Sequence, residues 1–467
     1  MSLPGANARI AFAAGDSANL PPSILACEFL FLENIGRMRL PPTLSMLFAA
    51  LFLGSVARAQ VSQNTSTTAV AADYTPVLLD PAIWAGQPLP GQWRNVSTVA
   101  ERALRELTTL GPVFGAAPVS VQAYYQTGQL ARIEVVWLEA GSFFGFRKSE
   151  ELAYHDGDGS NRAKQQHDYL EARRDEIKTE GAKRKEFEAK FADYNQSLPT
   201  AITALVHTQP RSTSLGQTGA LQIPVKEWTV GETVLRFTAQ DHQLISLTVL
   251  PKADASRKLA SNDAGADRRK QLAGAAQTLP NGDTVLSGVP MFDQGDRGYC
   301  AMGTLAMVTQ YYGLNLNIDQ FAAKAGYREG DTEHAKVIPV YQAAARELHL
   351  KFIDQSRLSF REAMSHVEKG EPILVWRWFS RDRDEMHRQF SLNFAAHPEA
   401  ELPKPRREEQ DTWPTSRSGG HASLITGFNK KRGEVLFTES WGEDNRNRRM
   451  RAEEMEKTVY AAFIFEP

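Results

Sequence analysis

Cysteine is almost absent from this chain: Cys27 and Cys300 are the only two among 467 residues. That scarcity excludes a disulfide scaffold and any zinc site built on paired Cys-x-x-Cys motifs. An excess of charge of either sign is missing too. Lys and Arg total 53 against 55 Asp and Glu, a formal charge of −2, so no basic field points to nucleic acid or an anionic membrane surface as a partner. There is no P-loop, no His-Glu-x-x-His and no Gly-x-Ser-x-Gly pattern. The expectation is a chain that needs neither a metal nor another cofactor.

Long apolar runs are also lacking. The stretch Leu44–Val56 follows Arg39 and precedes Ala57-Arg58-Ala59, and it is shorter than the roughly 18–20 residues that span a bilayer. A positive residue, a short apolar run and a small-x-small site together read as a secretory signal peptide over residues 38–59. Residues 1–37 place Pro, Gly and acids ahead of that charged start and read as an upstream extension before Met38. The expected product begins near Gln60, is secreted or periplasmic, and keeps no stable membrane span. Cleavage after Ala59 removes Cys27, and the remaining lone thiol cannot form an internal disulfide. Cys300 therefore needs another role.

The length suggests about three units at ~150 residues per domain. Residues 60–73, rich in Ser, Thr, Ala and Gln, read as a flexible leader. Residues 74–250 read as an α+β module. Within it, Ser120–Tyr125 and Ala131–Glu139 flank Gln126-Thr-Gly-Gln, a hairpin signal. From Arg162 to about Asn195 the chain is dense in Lys, Arg and Glu, with Tyr169, Ile177, Phe187 and Phe191 spaced among them. This predicts a long charged helix with one narrow apolar stripe. Leu221–Trp228 and Thr233–Leu250 are strand candidates, the second folded at Asp241-His-Gln. Residues 251–283 lose aromatics and read as an exposed linker, leaving 284–467 as a second module.

The chemistry is concentrated in that second module. In Gln294-Gly-Asp-Arg-Gly-Tyr-Cys300-Ala-Met-Gly, the glycines predict a tight turn that puts Cys300 on the first turn of a buried helix ending at Gly313. There, unpaired backbone N–H groups and the helix dipole favour a thiolate below the ordinary ~8.5. Gln294, across the turn, can donate to an oxyanion together with the Cys300 N–H, a contribution of on the order of 10²–10³ in rate per donor. His421, in Gly419-Gly-His-Ala-Ser-Leu-Ile-Thr-Gly-Phe428, is the candidate base. A Lys/Arg/Gly turn and Glu434-Val-Leu-Phe-Thr-Glu439 complete a hairpin. With the turn centred near Lys431, Glu439 falls opposite Ser423 and on the face of His421. A one-residue slip would turn it away.

The order Gln…Cys…His…acid, with Gln and Cys six residues apart at a helix start, resembles the papain-like cysteine peptidases. Glu439-Ser-Trp-Gly442 looks like their Asn-Ser-Trp-Gly motif. The compact layout, with Gly370-Glu-Pro-Ile-Leu-Val ahead of the Gly-His strand, is similar to the C39-like peptidase branch, as is the Ala-Met-Gly that follows Cys300. The resemblance covers about residues 284–466. It implies a nucleophile at Cys300, an oxyanion donor at Gln294, a base at His421, an orienting residue at Glu439 and a lid role for Trp441. Glu439 departs from the Asn or Asp of both patterns, and its carboxylate must withdraw by about one C–C bond to make the same hydrogen bond.

The resulting expectation is an α+β chain: a C39-like, papain-like peptidase module preceded by a separate α+β module with a long charged helix. Its substrate would be a peptide or protein. Two rival functions use the same cleft, a catalytically silent binding module and an acyltransferase that crosslinks through the same thiol. Pro372–Trp378 is expected as a buried strand beside the His hairpin. Residues 380–418 are expected as an exposed insertion or a flap over the cleft. The first module could be a prosegment, a binder of substrate or cell wall, or an assembly domain, and nothing in the sequence sets an oligomeric state.

Overall fold

The computed structural model describes residues 72–148, 162–217, 219–256, 258–260, 265–327, 336–400 and 403–467. The proposed extension, signal peptide and nearly all of the leader lie outside them. The first module opens with α1 (Thr75–Leu79) and is organised by one eight-stranded antiparallel sheet. Its strands are β1 (Trp93–Ser97), β2 (Leu104–Leu107), β3 (Ser120–Gln126), β4 (Gln129–Glu139), β5 (Arg211–Leu215), β6 (Ile223–Val230), β7 (Thr233–Gln240) and β8 (Leu244–Pro251). The spatial order is β1-β2-β3-β4-β8-β7-β6-β5. Thr127 and Gly128 close the β3–β4 hairpin with positive φ at both positions, and Asp241 and His242 do so between β7 and β8. That twist matches the right-handed twist of paired strands.

Short α2 (Ala140–Phe144) follows β4, and α3 (Arg162–Val206) lies against the sheet. Phe187, Phe191, Leu198 and Ile202 are buried there, whereas Tyr169 and Ile177 are exposed. The apolar stripe is therefore confined to the second half of the helix, and the helix runs past Asn195 through Pro199. Packing of Leu198 and Ile202 on the sheet accounts for the extension, because tertiary burial overrides local propensity.

The second module begins inside the stretch read as linker. Residues 251–283 contain α4 (Gly265–Leu272) and β9 (Ala276–Thr278), and β10 (Asp283–Leu286) starts at their end. β10 pairs with β13, so composition alone understates the order there. Then come α5 (Cys300–Tyr311), α6 (Ile318–Ala325), α7 (Val337–Glu347), β11 (Lys351–Gln355), α8 (Phe360–Glu368), β12 (Ile373–Phe379), α9 (Arg381–Ala396) and α10 (Arg407–Gln410). The chain ends with β13 (Gly419–Asn429), β14 (Glu434–Thr438), β15 (Arg448–Arg451), α11 (Ala452–Thr458) and β16 (Val459–Glu466). The sheet order is β11-β16-β12-β13-β10-β9, with β14 and β15 added along the other edge of β13. Helix α5 packs against β13, which places the Cys300 end of one element beside the His421 end of the other.

The two modules have their own sheets but share a core. Val96, Leu104, Tyr124 and Ile223 of the first sheet pack in one apolar cluster with Met291, Phe292 and Tyr299 of the second module. The separate module expected from composition is therefore separate in its sheet but not in its hydrophobic interior.

Residues 380–418 are also more integrated than their polarity suggests. Ser380 caps α9, and the Arg383 guanidinium, 1% exposed, donates to Glu454 at 2.7 and 2.6 Å and to Glu409 at 3.0 Å. Most of the segment's other charges are exposed, so Arg383 is the buried charge that ties it into the module.

Candidate active site

Cys300 is the first residue of α5, after a turn in which Gly295 has φ of 59°. The turn is fastened to the strand end that carries Glu439. Gln294 N–H donates to the Ser440 carbonyl at 2.8 Å, and Ser440 Oγ donates to Gln294 Oε1 at 2.6 Å. Gln294 Nε2 donates to the Arg297 carbonyl at 2.6 Å, which fixes the side-chain amide and leaves its second N–H uncommitted among these bonds. Helix α5 can approach this closely because residue 303 is glycine. A Cβ there would lie 2.5 Å from Ser440 Cβ, a distance no packed pair of carbons tolerates.

His421 sits on β13 directly opposite Arg377 of β12. The β13–β14 ladder pairs Leu424 with Thr438, after a bulge between Ile425 and Gly427, and the chain then delivers Glu439 to the His421 face. His421 Nε2 and Glu439 Oε2 are 2.7 Å apart. The other carboxylate oxygen, Oε1, accepts from Ser423 Oγ at 2.7 Å and from Arg377 Nη2 at 2.8 Å. Arg377 Nε donates in turn to Ser423 Oγ at 2.9 Å. The imidazole packs against two aromatic rings, stacked on Trp441 at 4.9 Å between centroids and tilted against Phe379 at 4.9 Å. Glu439 is completely buried and its longer side chain still reaches the ring. With Nε2 engaged by the carboxylate, Nδ1 is the ring nitrogen left for the sulfur.

The electrostatics follow from this enclosure. Burial works against ionising Glu439, but the His421 ring and the Arg377 guanidinium outweigh it and hold the carboxyl down at about 2. Burial likewise opposes a charged His421, yet the Glu439 carboxylate and the hydrogen-bonded Cys300 push it up to about 10. For Cys300, burial raises the thiol, and the charge and hydrogen bond of His421 together with the Ala422 backbone bring it below its ordinary value. These shifts all favour a thiolate beside an imidazolium, supported by a carboxylate.

All four residues singled out in the sequence, Gln294, Cys300, His421 and Glu439, are brought to one place. Cys300, Gln294 and His421 line a cleft of about 1150 Å³ with Trp376, Phe379, Trp441 and Tyr460. The first turn of α9 contributes Arg381, Asp382, Asp384 and Glu385, and the first module contributes Gly145 and Phe146. Arg377 and Ser423 escape a reading of motifs. The available signal was an arginine within Ile-Leu-Val-Trp-Arg-Trp-Phe, since a charge on a buried strand requires a partner. Among the described residues, no group of three or more His, Cys, Asp or Glu is placed to hold a metal, and no helix is long and apolar enough to cross a membrane.

Of the comparisons with known proteins, the family match falls on the segment that holds this site. A search of curated proteins returns no match. Among solved structures, the chain is similar to a putative C39-like peptidase from Bacillus anthracis, with 17% identity, a TM-score of 0.27, and 40% of this chain and 98% of that one covered. It is also similar to xylellain, a cysteine protease from Xylella fastidiosa, with 13% identity, a TM-score of 0.24, and 45% and 91% covered. The model of the Peptidase_C39 like family matches residues 286–466, the segment that holds Gln294, Cys300, His421 and Glu439. The C-terminal part of this chain, residues 286–466, therefore matches the C39-like peptidase family.

Proposed function

We propose that this chain is an exported cysteine peptidase that cleaves peptide or amide bonds through an acyl-enzyme on Cys300. The observation that carries the reading is the buried contact of Glu439 with His421 at 2.7 Å, with His421 and Cys300 lining one cleft. The thiolate attacks the carbonyl carbon, and the carbonyl electrons move to oxygen. That oxyanion takes hydrogen bonds from the Cys300 N–H and the free N–H of Gln294. The imidazolium gives its proton to the leaving amine as the C–N bond breaks, which leaves a thioester. Water then attacks with His421 as base, and the carboxylate product departs as the sulfur regains its thiolate. Glu439 keeps the ring oriented throughout and stabilises its charged form whenever it carries the second proton, and its own anchorage to Arg377 and Ser423 stops it from swinging into the cleft.

A pH profile tests this reading. Because the Cys300 thiol is depressed and His421 is raised to about 10, the reactive ion pair occupies the window between them. Peptide turnover is expected to rise with pH as the thiol ionises, below the ~8.5 of a free cysteine, and to fall as the imidazolium loses its proton at the alkaline end. Alkylation by iodoacetamide should follow the same acid limb. A thiol that titrates as an ordinary cysteine, and equally in His421→Ala, would end the proposal.

The α9 rim offers a specificity test. Asp382 is exposed at the cleft, so Asp382→Lys reverses a charge where a substrate side chain passes. The kcat/KM ratio for basic over acidic peptides is expected to drop by up to about fivefold, the scale of one solvated ion pair, with the melting temperature unchanged. An unaltered ratio across a charge-varied peptide library would remove α9 from the substrate path.

A further inference from the structure

The first module reaches into the catalytic turn. β4 ends at Glu139, which is 2% exposed and caps α2 by accepting from the N–H groups of Gly141 at 2.8 Å and Ser142 at 2.7 Å. The same carboxylate crosses to the second module, where it accepts from Tyr299 Oη at 2.5 Å and Arg297 Nη1 at 3.3 Å. Both partners belong to the turn between Gln294 and Cys300. Tyr299 is the residue immediately before the sulfur, as the N-cap of α5. The Arg297 carbonyl receives the Gln294 amide, and Arg297 Nε donates back to the Gln294 carbonyl at 2.6 Å. Asp319 of α6 accepts from the same Arg297 Nη1 at 2.5 Å. Gly141 packs so closely on the Tyr299 ring that a Cβ at 141 would lie 2.4 Å from it. Beyond α2, Phe146 N–H donates to the Asp296 carbonyl at 3.2 Å.

These contacts are built and not incidental. One buried carboxylate receives four donors, two from each module, and every one of its second-module donors lies on the loop that carries the oxyanion amide and the nucleophile. A buried anion with fewer partners would be costly to keep. A detachable prosegment would have to give up this anchor and expose the shared apolar cluster on release.

We propose that Glu139 is a positioning residue for the proposed peptidase, and that the first module is a permanent wall of the active site. The inference rests on the reading of Cys300 as nucleophile. Through Tyr299 and Arg297, Glu139 holds the Gln294 amide and the first N–H of α5 at the place where the oxyanion forms. It touches neither substrate nor sulfur, so its loss acts on the transition state and not on substrate binding.

The test uses the full chain. Reactive thiol per molecule is counted by stoichiometric alkylation, and kcat and KM are measured per counted thiol for wild type, Glu139→Gln and Tyr299→Phe. Glu139→Gln is expected to lower kcat by about 10²-fold, the scale of a one-ångström misplacement, with KM little changed and the pH midpoint of alkylation unmoved. Tyr299→Phe removes one hydroxyl, keeps the ring packing and should lower kcat in the same direction by less. It carries the test alone if Glu139→Gln does not fold. Wild-type kcat per thiol in the folded variants would overturn the proposal, as would a shifted alkylation midpoint, which would mean that Glu139 acts through its charge on the ion pair. Peptide turnover that persists at the wild-type rate in Cys300→Ala would instead overturn the peptidase reading itself, whatever the Glu139 variants do.

Discussion

Cys300→Ala is expected to lose peptide turnover by on the order of 10⁶ in kcat while keeping its fold, because a nucleophile and its base act as one unit. Its side chain lines the cleft and is only half-buried, so truncation to alanine leaves no large void. His421→Ala should be nearly as severe, and the double variant little worse than either single one. This non-additivity separates a thiol–imidazole pair from two independent contributors. Active-site titration followed by steady-state kinetics on a peptide library would measure all three. Turnover by the double variant that falls by the product of the single losses would argue that the residues do not share a step.

Arg377→Met is expected to destabilise the chain by about 3–5 kcal/mol, the cost of stranding a buried charge whose partner has been removed. Arg377 is 2% exposed and Glu439 is 0% exposed, and their contact at 2.8 Å is supplemented by Ser423 alone on that carboxylate oxygen. Arg377→Lys is not a mild substitute. The guanidinium serves Glu439 and Ser423 through two different nitrogens and lies over Phe379 and Phe437 at 5.3 and 5.1 Å, a fork that an ammonium cannot reproduce. Adding Glu439→Gln to Arg377→Met should recover part of the stability while leaving activity low. Since the Glu439 pKa is depressed to about 2, its stabilisation is fully present above the ordinary ~4.3 of a free glutamate. It is lost as pH falls from there toward 2. Denaturant unfolding at pH 7 and at pH 3 would show the Arg377→Met penalty shrinking at the lower pH. An equal penalty at both would locate its cause in packing and not in charge.

The parts of the site legible in the sequence are those set by short-range geometry. The glycine turn before Cys300, the helix that starts there and the β13–β14 hairpin each depend on residues near in sequence. Period-two alternation then puts His421 and Glu439 on one face. The strand β12 is expected beside the His hairpin, but Arg377 is hidden because its role depends on the register that sets it opposite His421, which local pattern does not encode. Glu139 was hidden for a similar reason. Its partners, Arg297 and Tyr299, are 158 and 160 residues away, and only the docking of two sheets brings them together. The linker reading of 251–283 failed to anticipate β9 because three residues of Ala-Gln-Thr carry little strand character. Their order comes from backbone pairing to β10.

The attachment of β10 to β13 has a practical corollary for anyone wishing to express the peptidase half by itself. A fragment cut at residue 286, where the family match begins, would discard Asp283, which accepts from Asn429 Nδ2 at 2.9 Å and also pairs with Arg449. It would leave a bare strand edge at Gly427–Asn429, the kind of raw hydrogen-bonding margin that recruits other chains and drives aggregation. An insoluble fragment of that kind would report on a misplaced amino terminus and would say nothing against the proposed activity.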